Sequence, residues 1–299
     1  MKHSKIAIIG AGSVGSTTAY ALSLKQIAAE IVLIDTDQKR CAGEILDLSD
    51  IRGLIPTSRV KKGTIADTDD ADIIVIAAGK RQNIGQSRRD LYQANKEIIR
   101  SICEHMGSIR NDAIVIMVTN PVDPLTRIAQ QNLPLPEKQI FGSGTLLDSL
   151  RVRKYIGEYV SICPQSVDAL VLGEHGDSHV VLWSLVSIGG MPLDFSAISD
   201  AVRRDIEQKT KNEVYDIISC KGATFFGVAT CIVRMCEAII FDEQVILPVS
   251  CFLEKENVCV SLPVVLGKQG IVNYVPLHMS ASEQEQMECT IQCVKQYTL

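Results

Sequence analysis

Three residues in two short stretches could together perform acid–base chemistry on a small anion. The stretch L-L-D-S-L-R contains Asp148 and Arg151, three residues apart, so on a helix both can lie on one face. The stretch V-L-G-E-H-G-D-S places His175 in a glycine-flanked loop after an apolar run. Buried chemistry on a small anion needs a cation for its carboxylate, a proton carrier, and a group that orients the carrier. These residues supply one of each.

Each of these residues also has an ordinary structural interpretation. A loop histidine is more often structural than catalytic, Asp148 could be an acid on a helix face, and Arg151 could be a solvated charge. His179 follows His175 by four residues, with Asp177 between them, which could suggest a metal site. Histidine and cysteine do not cluster at ligand spacing along the chain, so we expect no zinc site and interpret the ten cysteines as reduced thiols.

A glycine-rich turn, G-A-G-S-V-G, lies between the first apolar run and the first helical stretch. Its glycines would allow a tight turn and close approach of a pyrophosphate, and the helix N-terminus would offer free N–H groups. Asp35 closes the next apolar run, where a carboxylate can accept the ribose hydroxyls of NAD and repel the 2′-phosphate of NADP. The alternative is an ordinary turn with Asp35 as a strand-end cap. The predicted NAD-contacting residues of the turn are Gly10, Gly12, Ser13, Val14 and Gly15.

The pattern of predicted helices and strands changes near residue 142. Before it, β-branched apolar runs alternate with amphipathic stretches at 13–26, 39–51, 89–106 and 124–131, which predicts a parallel doubly wound sheet. After it, long helices are predicted at 196–220 and 223–241. Antiparallel strands I-L-P-V-S-C-F-L and V-C-V-S-L-P-V-V and a polar helix at 282–297 follow. We predict an α/β fold with an N-terminal Rossmann domain at 1–142 and a C-terminal α+β substrate domain at 143–299.

Composition excludes several classes of partner. The chain has 299 residues, 46% of them hydrophobic, and a formal net charge of -5, so it can bury a large core and has no polyanion-binding character. The longest apolar runs, such as 113–118, are far shorter than the ~20 residues that span a bilayer, and the start lacks a signal-peptide layout. We expect a cytoplasmic protein that binds a small molecule rather than nucleic acid or membrane.

Six motifs together resemble the L-lactate/malate dehydrogenase family over essentially the whole chain. They are G-A-G-S-V-G-S, Q-N-I-G-Q-S-R, V-T-N-P-V-D, L-D-S-L-R-V-R, G-E-H-G-D-S and K-G-A-T-F-F-G, in that order. The resemblance implies an NAD-dependent oxidoreductase that transfers a hydride between the nicotinamide ring and C2 of a 2-hydroxy acid. It also weakens the metal interpretation, and we expect His179 to be a surface or interface residue.

The resemblance assigns a role to each matching residue. His175 would be the proton donor and acceptor, and Asp148 the carboxylate that orients it. Arg151 would bind the substrate carboxylate through two parallel hydrogen bonds, for which a planar guanidinium is suited. Arg88 would polarise the ketone. Asn120 would hydrogen-bond near the reacting hydroxyl and the nicotinamide.

The stretch A-A-G-K-R-Q-N-I-G-Q-S-R-R-D-L, at 77–91, resembles the family's mobile loop without a gap from Ala78 to Arg88. Gly79 and Gly85 can serve as flexible points, and closure would bring Arg88 inward while water is expelled. The alternative is an ordinary polar connection. We predict that this segment is a lid.

One position in this loop is expected to choose the substrate. Family members that act on malate place arginine there to pair with a second carboxylate, whereas this chain has Gln82. An unpaired desolvated charge costs several kcal/mol, so Gln82 favours pyruvate/lactate over oxaloacetate/malate. Thr224 matches the threonine that lactate dehydrogenases have opposite the substrate side chain. The neighbouring Arg81 keeps a malate or broader 2-hydroxyacid dehydrogenase open as an alternative, and a non-catalytic NAD-binding protein is the rival from another class.

Assembly and regulation follow from the resemblance as expectations. We expect a homodimer or homotetramer. Bacterial relatives activated by fructose 1,6-bisphosphate bind it through an arginine, matched by Arg153, and a histidine, which is replaced here by Asp168. Because an acid repels a bisphosphate, we predict no activation by that sugar.

Overall fold

The structure is a computed structural model that describes residues 4–54, 59–81, 88–194 and 198–297, excluding the side chain of Arg88. Its centre is a sheet of nine strands in the order β14-β13-β12-β6-β5-β4-β1-β2-β3. The strands of this sheet are β1 (Lys5–Ile9), β2 (Glu30–Ile34), β3 (Arg59–Lys62), β4 (Ile73–Ile76), β5 (Ile114–Met117), β6 (Ile140–Gly142), β12 (Val245–Leu253), β13 (Val258–Gly267) and β14 (Gly270–Tyr274). Five two-residue strands form small separate ladders: β7 (Val167–Asp168), β8 (Val171–Leu172), β9 (Val180–Val181), β10 (Ser187–Ile188) and β11 (Met191–Pro192).

Strands β1 to β6 are parallel and follow the order of a doubly wound dinucleotide-binding fold. Strands β1, β4 and β5 are buried along their whole length, which explains why isoleucine and valine predominate in them. The helices are α1 (Ser13–Lys25), α2 (Gln38–Asp50), α3 (Arg88–His105), α4 (Val122–Asn132), α5 (Leu146–Val160), α6 (Asp200–Lys221), α7 (Phe226–Ile240) and α8 (Ala281–Lys295). The predicted α/β fold class is confirmed.

The C-terminal strands join the N-terminal sheet. Strand β12 pairs with β6 through Ser250 and Gly142, and β12, β13 and β14 continue as an antiparallel meander. The sequence predicted the two antiparallel strands but not that one sheet would run through both halves. The two halves therefore share a hydrogen-bonded framework.

Alternate residues of the strands supply two cores, one on each face of the sheet. Ile6 and Ile8 of β1 pack in a core that also contains Leu22 of α1 and Met235 of α7. Ala7 and Ile9 of β1 face the opposite core, which α3 and α4 cover. Because successive side chains of a strand point to opposite faces, one apolar strand can serve both layers.

Two of the predicted helices begin later than their sequence patterns suggested. The helix predicted from 196 begins at Asp200, because Ser199 caps it by accepting the N–H of Val202. The helix predicted from 223 begins at Phe226. No single helix in the described ranges is long and apolar enough to cross a membrane; α6 and α7 meet the length and composition criteria only as a pair bent by 120°.

Candidate active site

A cavity of about 290 Å³ lies where the glycine turn meets the C-terminal half. It brings together most of the residues that the sequence singled out. Those that line it are Gly12, Ser13, Val14, Asn120, Asp148, Arg151, His175 and Thr224. Gln82 lies outside the described residues, as does the side chain of Arg88, so their predicted roles stay predictions.

His175 and Asp148 form a close pair in this cavity. Asp148 is in the first turn of α5 with its side chain 5% exposed, and its Oδ2 lies 2.7 Å from Nδ1 of His175. When Nδ1 carries the proton and donates it to the carboxylate, Nε2 is the ring atom left to exchange a proton with a ligand. The pair has the geometry of an oriented acid–base group.

The pair shifts the pKa of both partners toward their charged forms. Burial acts to lower the pKa of His175, but the Asp148 carboxylate outweighs it and the pKa is raised. Burial acts to raise the pKa of Asp148, but the imidazolium of His175 and the nearby Arg151 leave it lowered. A raised imidazole pKa favours a proton donor that is protonated near neutral pH.

Arg151 lies one turn from Asp148 on α5, with its side chain 8% exposed. Its Nη1 is 3.4 Å from Oδ1 of Asp148, and its Nε is 3.8 Å from Oε2 of Glu213 on α6. Glu213 also accepts a hydrogen bond from Tyr155 at 2.9 Å and pairs with Lys154 at 2.8 Å. The guanidinium is therefore held between two acids on the cavity wall. Sequence reasoning missed Glu213, because no motif contains it.

The glycine turn is shaped by close backbone approach. Gly10 has φ +111°, and a Cβ at Gly15 would lie 1.8 Å from the carbonyl oxygen of Gly10. At Gly12, by contrast, a Cβ would meet no atom of the described residues within 4 Å, and Gly12 gives α1 no side-chain cap. The start of α1 is thus uncapped by Gly12 beside the cavity, which Gly12, Ser13 and Val14 line. This arrangement fits the pyrophosphate of a dinucleotide.

Asp35 lies beside the turn, at the end of β2. Its Oδ2 accepts the N–H of Ala11 at 2.7 Å, and its Oδ1 accepts the N–H of Asp37 at 2.8 Å. The carboxylate is thus a strand-end cap, as the structural interpretation expected. Each oxygen keeps a second lone pair, so capping is compatible with accepting ribose hydroxyls.

Arg81, Asn120 and Thr224 also line the cavity. The Nη2 of Arg81 donates to Oγ of Ser13 at 3.0 Å, so this guanidinium is directed to the glycine turn. The main-chain oxygen of Asn120 accepts a hydrogen bond from Asn95 at 2.7 Å, which fixes the backbone after β5.

The prediction that His179 is a surface or interface residue is wrong. Its residue exposure is 6%, because it leads directly into β9, whose two valines are buried. Burial lowers the pKa of His179 to about 4, and its Nε2 has no hydrogen-bond partner among the described residues. His179 lines the same cavity as His175. No group of three or more metal-ligating side chains occurs in the part of the chain that the structure describes.

Side chains from distant helices anchor the loop that carries His175. Thr290 of α8 accepts the N–H of Glu174 at 3.0 Å, and Ser178 bonds both Glu174 and Thr290. On the other side, Asp123 accepts the N–H of His175 at 2.7 Å. Asp123 was not predicted as a site residue, although it closes the V-T-N-P-V-D motif that also contains Asn120.

The two halves of the chain match two family models. Residues 4–142 match the lactate/malate dehydrogenase NAD binding domain, and residues 145–297 match the lactate/malate dehydrogenase alpha/beta C-terminal domain. L-lactate dehydrogenase A of Rhizopus oryzae is 37% identical over 294 residues, covering 98% of this chain and 92% of its own length. An L-lactate dehydrogenase of Clostridium botulinum is 36% identical, covering 97% and 95%.

Solved structures give the same result. The minor L-lactate dehydrogenase of Enterococcus mundtii superposes with a TM-score of 0.95 at 32% identity, covering 99% of this chain and 98% of its own. Malate dehydrogenase of Cryptosporidium parvum superposes with a TM-score of 0.93 at 29% identity, with the same coverage. With both halves matched in order and in fold, this chain is a member of the lactate/malate dehydrogenase family.

Proposed function

We propose that this chain is an NAD-dependent L-lactate dehydrogenase that interconverts pyruvate and L-lactate. The observation that carries the proposal is the His175–Asp148 pair, with Arg151 one turn away, in the same cavity as the glycine turn. The full-length similarity to L-lactate dehydrogenases supports the choice of reaction.

The chain's own groups divide the work of the reaction. Gly10, Gly12 and Gly15 shape the turn that would hold the pyrophosphate, with Ser13 and Val14 beside it. Asp35 would receive the ribose hydroxyls. Bound NADH supplies the hydride that reduces C2 of pyruvate.

The substrate would be held and protonated from the other wall. Arg151 binds the carboxylate of pyruvate with two parallel hydrogen bonds. His175 gives the proton on its Nε2 to the ketone oxygen, and Asp148 stabilises the imidazolium until that transfer and keeps Nδ1 oriented. Arg88, the first residue of α3, would polarise the ketone, and Asn120 would hydrogen-bond near the reacting hydroxyl and the nicotinamide. In lactate oxidation, neutral His175 takes the proton back.

Three residues bear on the choice between lactate and malate. Gln82 offers no charge for a second carboxylate, and Thr224 lines the cavity. Arg81, the cation that kept malate open, donates to Ser13 and is therefore engaged with the glycine turn. Malate remains the second candidate because a malate dehydrogenase has nearly the same fold.

The experiment is to follow NADH oxidation with pyruvate and with oxaloacetate, for the native chain and for Gln82→Arg. We expect a preference for pyruvate that moves toward oxaloacetate in the variant, because arginine would pair with the second carboxylate. A native preference for oxaloacetate would contradict the lactate assignment. NADH binding without reduction of either acid would support the non-catalytic rival.

The proposal also covers assembly, location, domain boundaries and regulation. We propose a homodimer or homotetramer in the cytoplasm, with the NAD-binding domain at 1–142 and the substrate domain at 143–299. Fructose 1,6-bisphosphate should not activate the enzyme, because Arg153 donates to the carbonyl of Ala169 at 3.1 Å and its charge faces Asp168. Rate measurements with and without that sugar test this point.

A further inference from the structure

A second buried aspartate contacts the proposed proton donor. Asp123, in the first turn of α4, is 1% exposed, and its Oδ2 accepts the backbone N–H of His175 at 2.7 Å. His175 is thus held by two carboxyl groups, with Asp148 at the ring and Asp123 at the main chain.

The second oxygen of Asp123 is poorly satisfied. Oδ1 has no hydrogen-bond partner among the described residues; the Ser250 hydroxyl of β12 faces the carboxyl group without a hydrogen bond of ordinary geometry. Burial raises the pKa of Asp123 to about 7. A buried carboxyl group with an unsatisfied oxygen is costly, whereas an amide could also accept the His175 N–H. The hydrogen bond alone therefore does not explain why this side chain is an acid.

The electrostatic surroundings of His175 include Asp123. Burial lowers the pKa of His175, the carboxylates of Asp148 and Asp123 raise it, and Arg151 lowers it. His179, whose pKa is about 4, is neutral near pH 7. The charge on Asp123 thus acts in the same direction as the charge on Asp148.

The groups that face Asp123 come from three elements. Glu174, in the His175 loop, raises the pKa of Asp123, and the Ser250 hydroxyl lowers it. Cys251 of β12 and Cys259 of β13 also face this region, but burial raises the pKa of both thiols, so they are neutral near pH 7. Burial is the largest cause of the raised pKa of Asp123, and the interactions with Glu174 and His175 modify it in opposite directions.

We propose that Asp123 is a positioning residue of the dehydrogenase: its carboxylate fixes the main chain of His175 against Asp148, and its negative charge helps to keep the imidazole protonated. The proposal rests on the proposed function for its kinetic consequences. Its electrostatic part concerns only the titration of His175 and can be tested without catalysis.

The test is a titration of His175 by NMR of protein labelled with ¹³C-histidine, with the resonance assigned by His175→Gln. We expect Asp123→Asn to lower the pKa of His175 by about 0.5–1 unit, because a negative charge is removed while an oxygen acceptor remains. Asp47→Asn, at an exposed position of α2, is the matched control for net charge and should leave that pKa unchanged. An unchanged pKa in a folded Asp123→Asn protein would overturn the proposal.

Steady-state kinetics distinguish the positioning of the His175 main chain from the effect of the Asp123 charge on the imidazole. We expect Asp123→Asn to keep most of the native kcat for pyruvate reduction at pH 6. As the pH is raised, kcat should begin to fall at a lower pH in the variant than in the native chain. Asp123→Ala removes the acceptor as well and should lose roughly 10-fold or more in kcat, since small misplacements of a reacting group are costly. Equal losses of kcat in both variants with the same pH profile as the native chain would also overturn the proposal.

The role of Asp123 can still be tested if the variant does not fold or if the native chain has no activity. If Asp123→Asn does not fold, Asp123→Ser replaces it: the negative charge is removed while a hydroxyl acceptor remains, so the pKa of His175 should fall, and no fall would overturn the proposal. If the native chain reduces no 2-oxoacid, the proposed function fails, and the titration still decides the role of Asp123.

Discussion

The two walls of the cavity are built on different physical principles. The glycine turn behind the wall from the first half is shaped by backbone: Gly10 has φ +111°, Gly15 lies against the Gly10 carbonyl, and α1 begins without a side-chain cap from Gly12. The wall from the second half carries buried ionisable side chains, including Asp148 and Arg151. The first wall can recognise a ligand by shape and fixed dipoles, whereas the second depends on which protons are present. Substitutions should therefore affect the two walls in separable ways.

The largest effect is expected from Asp148→Asn. The amide cannot stabilise the imidazolium of His175 as the carboxylate does, so kcat for pyruvate reduction should fall about 10²–10⁴-fold. NADH affinity, measured by fluorescence, should stay within about 2-fold, because the glycine turn lies on the other wall. A comparable loss of NADH affinity would show that the two walls are not separable.

Arg151→Lys should have the next largest effect. A lysine ammonium cannot make two parallel hydrogen bonds to a carboxylate, and it leaves Glu213 and Asp148 less well paired. We expect kcat/KM for pyruvate to fall about 10²-fold, because a charge-assisted hydrogen bond to the substrate carboxylate is lost. Arg204→Lys, at an exposed position of α6, is the control and should retain native kinetics. A native kcat/KM in Arg151→Lys would remove this residue from the substrate site.

His179 should lower the free energy of unfolding at acidic pH. Its folded-state pKa is about 4 against 6.5 in the unfolded chain, so between these values only the unfolded state takes up the proton. Its contribution therefore lowers stability as pH falls from about 6.5 to 4, by about 2 kcal/mol at pH 5. Urea unfolding at pH 7 and pH 5 should show a smaller loss for His179→Gln than for the native chain. Equal losses would mean that His179 is protonated in the folded state.

The smallest effect should come from the backbone wall. In Gly12→Ala the new Cβ meets no atom within 4 Å in the part of the chain that the structure describes, so the melting temperature should hardly change. The Cβ would occupy space that a pyrophosphate needs, and NADH affinity should fall about 10-fold, or ~1.4 kcal/mol. Gly43→Ala, in α2 and equally unobstructed, is the control for helix propensity and should leave NADH affinity unchanged. Unchanged affinity in Gly12→Ala would argue against this turn as the pyrophosphate site.

The sequence predicted best where spacing is local. Asp148 and Arg151 are one helical turn apart, and the glycine turn lies between consecutive elements, so both followed from short-range geometry. The environment of His179 and the contact of Asp123 with His175 depend on elements far apart in the chain, and a single sequence carries no signal for such packing. The continuous sheet was missed for the same reason, since β6 and β12 are separated by about 100 residues.

The continuous sheet has a consequence for how ligands enter. Because β6 pairs with β12, and α1 packs with α7 in a single core, the two halves are not joined by a hinge about which they can rotate freely. Access to the cavity must then depend on movements of its rim, such as α6, against a stationary base. Such an enzyme can bind and release its ligands without moving the framework that holds His175 beside Asp148.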